Sequence, residues 1–146
     1  MRIEIDQSGK IEQLNKDTYI AFSNDEQYCI KLPKKVKQDI SLKHRGKIGQ
    51  LIQKIFAISI YYCLVNYLNN KRLIVIDREY SGWEPFIKRE LVNLIKKDYH
   101  NFDMGIIVFD LITKNSKAHK IALKSFREEE RPNKILSRED IERWLK

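Results

Sequence analysis

Residues 73–80 read Leu-Ile-Val-Ile-Asp-Arg-Glu-Tyr, and this stretch constrains the fold more than any other. Its apolar, β-branched start has the pattern of a strand covered on both faces. It ends in two carboxylates, Asp77 and Glu79, with Arg78 between them. Residues two apart on an extended chain point to the same side, so a strand running through Glu79 presents both acids together. That position, where a central strand leaves its sheet, is where α/β folds place their chemistry. The structural alternative is that the two acids solvate a strand end and start the next helix. A second acid in the same setting, Asp6 after Ile3-Glu4-Ile5, weighs against that alternative.

Around this strand the chain reads β-β-β-α-β-α-β-α. Residues 3–6 alternate, residues 7–10 (Gln-Ser-Gly-Lys) form a turn, and residues 11–14 continue as a returning strand. Residues 18–22 and 27–32 are two further strands, the second stopped by Pro33. Between 48 and 68 apolar residues recur at steps of three and four, which predicts a long helix packed on the sheet, with Tyr61, Tyr62 and Tyr67 lining the packing. Pro85 fits the first turn of a helix that runs to about Lys97, and residues 105–112 form another buried strand, with Asp110 near its end. Residues 116–127 are a short helix that carries His119 beside an apolar stripe. Ser137 with Asp140 has the spacing of a capping box opening a terminal helix. The predicted architecture is a single α/β domain over residues 1–146, with 133–146 a helical extension. Its mixed sheet has five strands, three antiparallel and then two parallel, and helices lie on both faces.

The chain has 146 residues and 28 Lys and Arg against 20 Asp and Glu, a formal charge of +8. That excess favours a polyanionic partner such as nucleic acid, although charge also serves solubility. The densest cationic run is 33–47, a basic connector with Lys34, Lys35, Lys37, Lys43, Arg45 and Lys47 as candidate phosphate contacts. The two cysteines, Cys29 and Cys63, lie far apart and make no zinc motif. With no signal-peptide pattern at the start and no membrane span in the polar-faced 48–68 segment, a cytoplasmic location is expected. Neither GxGxxG nor GxxxxGK[ST] is present, and no serine or cysteine sits in a G-x-S-x-G setting.

The order of elements and the placement of acids resemble the ribonuclease H-like superfamily, which includes ribonucleases H, Holliday-junction resolvases and retroviral integrases. Residues 3–9, Ile-Glu-Ile-Asp-Gln-Ser-Gly, look like that family's first strand, and 74–77, Ile-Val-Ile-Asp, look like its fourth. Residues 118–122, Ala-His-Lys-Ile-Ala, are similar to the last-helix segment that supplies a further ligand. The resemblance spans roughly residues 1–126. It implies a metal-dependent nuclease using Mg²⁺ or Mn²⁺. Asp6 would bridge, Asp77 would be a second ligand, and Asp110, Glu79 or His119 would complete the site. Segment 46–70 has no acidic residue, so the Glu that the family's first long helix supplies in ribonucleases H has no counterpart there.

Carboxylates held close together repel and raise one another's pKa unless a cation neutralises them, and hard oxygen ligands suit Mg²⁺ or Mn²⁺. A non-catalytic module that binds nucleic acid or a protein through the same basic surface is the alternative to a nuclease. Convergence of the acids separates the two: three within about 5 Å of one point favour the enzyme, given the short ligand distances of hard cations. The oligomeric state, a homodimer included, is left open by the sequence.

Overall fold

β1 (Ile3–Ser8) is the pivot of the sheet. In the computed structural model, which describes residues 2–23, 26–45, 50–68, 72–114 and 116–145, it pairs antiparallel with β2 (Thr18–Ser23) on one side. On its other side it pairs parallel with β4 (Ile74–Asp77). β3 (Gln27–Leu32) lies antiparallel beside β2, and β5 (Ile107–Asp110) lies parallel beside β4. A two-residue β6 (Lys134–Ile135) completes a mixed sheet of six strands in the order β5-β4-β1-β2-β3-β6. The sheet thus has one strand more than the five expected. Two residues are too few to show an alternating pattern, and β6 is fixed by parallel pairing with β3 and by bonds such as Leu136 N–H to Lys31 O at 2.8 Å.

Every residue of β2 is buried, so both faces of the sheet are covered there. Strand alternation sorts its side chains: Ile20 and Phe22 face the main core, while Tyr19 and Ala21 face a smaller cluster on the opposite side. The main core is filled by α2 (Leu51–Leu64), backed by α3 (Glu84–Ile95). The opposite cluster is closed by α4 (Lys117–Phe126), through Ile121 and Ala122. Full burial of side chains such as Phe22 and Ile20 contributes roughly 1.5–3 kcal/mol each.

The returning strand expected at residues 11–14 is a run of turns instead, and the ladder begins only at Thr18. Gly9 makes the turn possible: its φ is +78°, and a Cβ there would lie 2.2 Å from Asp17 O. The supposed connector after Pro33 is mostly a helix, α1 (Lys34–Lys43). Its few apolar positions, Val36 and Ile40, hide among lysines, and one of those lysines belongs to the buried face. Lys37 is 1% exposed, with Nζ donating to Lys10 O, Gln13 O and Thr18 Oγ1 at 3.2, 2.8 and 2.9 Å.

Residues 133–145 are built into the same core rather than appended to it. α5 (Arg138–Glu142) opens on the Ser137–Asp140 capping box and rests on α1 and α2. Tyr62 Oη donates to Asp140 O at 2.7 Å and accepts from Trp144 Nε1 at 3.0 Å. Leu136, Ile141 and Leu145 join the main core. Among the described residues no helix is long and apolar enough to cross a membrane.

Candidate metal centre

Parallel pairing of β1 with β4 sets Ile5 opposite Ile76, so the next residues, Asp6 and Asp77, leave the sheet side by side. Alternation puts Ile5 and Ile76 in the main core and turns both acids to the α4 side. β4 ends at Asp77 and does not run through Glu79 as the sequence suggested. Glu79 reaches the same place through a tight turn, its N–H donating to Asp77 O at 2.9 Å. One carboxylate oxygen from each of Asp6, Asp77 and Glu79 then lies within 4.8 Å of the others.

α4 brings a fourth group. Ala118 and Ala122 are fully buried, and their small side chains let the helix lie close to the sheet. His119 then meets Asp6, with Nδ1 at 2.7 Å from Oδ2. The other oxygen of Asp6 accepts the Gln7 N–H at 2.8 Å. Both oxygens are therefore held before any ligand arrives. Asp77 is anchored through Oδ1, which accepts the Ile112 N–H at 2.8 Å.

The cluster is electrostatically uncomfortable as an all-anion site. Burial raises Asp6 to about 6 and the Asp77 charge adds to the rise, while the His119 and Gln7 hydrogen bonds oppose it. Burial also raises Glu79, to about 7, helped by its hydrogen bond and charge contact with Asp77 and opposed by a hydrogen bond from Gln7. The donors are hard oxygens, and a divalent cation would relieve the repulsion that lifts both acids. The Gln7 side chain, 7% exposed, supplies a further sign of fit. Its Nε2 is 3.4 Å from Tyr80 Oη, and its Oε1 is a buried oxygen without a hydrogen-bond partner.

Asp110 falls outside this group. It lies in register with Asp77, but its side chain is exposed and its Oδ1 accepts the Leu111 N–H at 2.8 Å. At the last ladder position of a short edge strand it closes its own turn and is not part of the Asp6, Asp77 and Glu79 cluster. His119 touches Asp6 as a partner to that carboxylate. Of the basic run, Lys34, Lys35, Lys43 and Arg45 are exposed, Lys47 lies outside the described residues, and Lys37 is withdrawn as a phosphate contact because it is buried against backbone oxygens. Lys35 pairs with Asp39 at 3.1 Å and Lys43 with Glu142 at 2.7 Å.

Three residues of the centre escaped the sequence reading. Gln7 orients Asp6 through its N–H, Tyr80 receives the Gln7 amide, and Glu12 accepts from Tyr80 Oη at 3.1 Å. Their roles depend on strand register and on a turn, and only a polar residue placed next to Asp6 on a buried strand hinted at Gln7. Lys117 and Lys120 also went unremarked; both are exposed on α4 on either side of His119. Compared with protein-family models, curated proteins and solved structures, the chain has no match in any of the three.

Proposed function

We propose that the protein is a metal-dependent nuclease of ribonuclease H-like architecture, hydrolysing phosphodiester bonds in DNA or RNA. The observation that carries this reading is the convergence of Asp6, Asp77 and Glu79 within 4.8 Å at the ends of neighbouring parallel strands. That convergence supports the enzyme over a purely binding module, for which three buried or half-buried acids facing a polyanion would be a liability. The order of the first five strands, and a basic chain of charge +8 around an acidic centre, support the same reading.

Asp6, Asp77 and Glu79 would hold Mg²⁺ or Mn²⁺. Bound there, the ion supplies Lewis acidity toward the phosphate and lowers the pKa of coordinated water. The chain's own residues prepare that chemistry. The Gln7 N–H and His119 fix the two oxygens of Asp6, and the Ile112 N–H fixes one of Asp77, so the acceptors are aimed rather than free to rotate. Glu79 is raised to about 7 by burial and by Asp77, and a cation held there would take the place of its proton. Lys117 and Lys120, both exposed on the helix that carries His119, are the cations offered to the phosphate backbone.

The test is Mn²⁺ calorimetry with a cleavage panel of single-stranded, duplex, hybrid and branched substrates, on wild type, Asp6→Asn and Asp77→Asn. Wild type should bind Mn²⁺ and cleave, and each variant should lose at least about a hundred-fold in activity, since outer-shell residues alone are worth 10–100-fold. A wild type that binds no Mn²⁺ would sink the reading.

A further inference from the structure

Trp83 stands four residues beyond Glu79, on the loop that carries the chain from the acidic centre into α3. Four residues span at most about 14 Å, and the turn closed by Trp83 N–H to Tyr80 O at 3.0 Å shortens that further. The indole is one of the chain's exposed large apolar side chains, at 37% exposure. It lies outside the buried stripe of α3, which is made by Ile87, Leu91, Val92, Leu94 and Ile95. It makes a T-shaped contact with Phe86, ring centroids 5.6 Å apart at 81°, and the Arg89 guanidinium lies 5.4 Å from that Phe86 ring. Beside it, Gly82 has φ +88°, and a Cβ there would meet nothing within 4 Å, so the loop next to Trp83 is uncrowded at that point. The acid next to Trp83 in the chain, Glu84, is turned back into the loop, accepting the Gly82 N–H at 2.9 Å.

We propose that Trp83 is a stacking platform for an unpaired nucleobase of the substrate strand, with Arg89 contacting its backbone, so that the substrate is single-stranded or locally unpaired next to the cleaved phosphate. This deepens the nuclease reading and rests on it. A flat aromatic face gives a base affinity without sequence preference, and a cation one ring away gives the adjoining phosphate a partner. In a continuous duplex both faces of each base are covered by its neighbours, so an indole gains nothing there. Trp83 makes no side-chain cap bond to α3, so its replacement removes no helix-capping interaction.

The experiment measures binding without cleavage. A fluorescein-labelled oligonucleotide, as single-stranded DNA, single-stranded RNA and annealed duplex, is titrated with the full chain in EDTA at fixed salt, for wild type, Trp83→Ala and Trp83→Phe. Trp83→Ala should weaken single-strand binding about ten-fold and leave duplex binding unchanged, and Trp83→Phe should recover most of the loss. Wild-type affinity in Trp83→Ala, an equal loss on single strand and duplex, or no single-strand binding by wild type would each overturn the proposal. If Trp83→Ala binds as wild type while Asp6→Asn still abolishes Mn²⁺-dependent cleavage, the platform falls and the nuclease stands.

Discussion

Asp6 and Glu79 hold their protons more tightly in the fold than in the unfolded chain, at about 6 and about 7 against ordinary values of 3.8 and 4.5. Between roughly pH 4 and 7 the native state therefore binds more protons than the unfolded one, and stability falls as pH rises through that window. The sign is opposite to that of a salt-bridged carboxylate. In EDTA, Glu79→Gln should flatten the pH dependence of the urea midpoint and raise stability at pH 7.5 by about 1–2 kcal/mol, consistent with roughly 1.4 kcal/mol per pK unit. A variant less stable than wild type at that pH would show that Glu79 is held by favourable contacts instead. Lys37 illustrates the other kind of buried charge: its ammonium is pushed down to about 8 by burial, yet three oxygens meet it and it ties α1 to the β1–β2 turn.

At the scale of elements, the segment from Leu136 to Leu145 is the informative one. α5 spans only Arg138–Glu142, too short to hold itself, so its order comes from the capping box and from packing on α1 and α2. Ile141 is fully buried in the main core, and Ile141→Ala should cost about 2–4 kcal/mol in a single cooperative urea transition. A loss under about 0.5 kcal/mol, or an early separate transition, would make this segment an appendage. It was read from sequence as an extension because its contacts are all long-range. The elements that were legible carry their period in their own residues: β1, β2, β3, β4 and β5 alternate or run apolar, and α2 repeats at three and four. α1 was missed because Lys37 takes an inward position that its chemistry disguises. Asp6 and Asp77 could be paired because parallel strands end at one edge. Glu79 was placed correctly for the wrong reason, since a turn and not strand alternation returns it. For Asp110, strand-end position does not tell whether a carboxylate turns to a neighbour or to its own backbone, and here one oxygen takes the Leu111 N–H.

The whole molecule sets a net charge of +8 around a buried acidic centre, and the two have opposite effects on a phosphate backbone. α4 carries Lys117 and Lys120 on either side of the residue that touches Asp6. α1 starts at the same end of the sheet: Lys34 N–H is bonded to Asp17 Oδ1, and Lys37 holds the β1–β2 turn, so the exposed Lys34 and Lys35 lie at that end too. Each phosphate neutralised on a single strand contributes about 0.7 to the slope of log affinity against log salt. Lys117→Gln/Lys120→Gln should therefore reduce the slope by about 1.4 and weaken binding alike for all sequences. Lys34→Gln/Lys35→Gln should have a smaller effect, because Lys35 is already paired with Asp39 at 3.1 Å. In EDTA, Asp6→Asn should act in the other direction and tighten binding, since it removes a charge that repels phosphate when no cation is bound. A slope unchanged in the α4 pair, with Asp6→Asn binding no more tightly than wild type, would mean that nucleic acid passes this edge at a distance and that the acids serve another substrate.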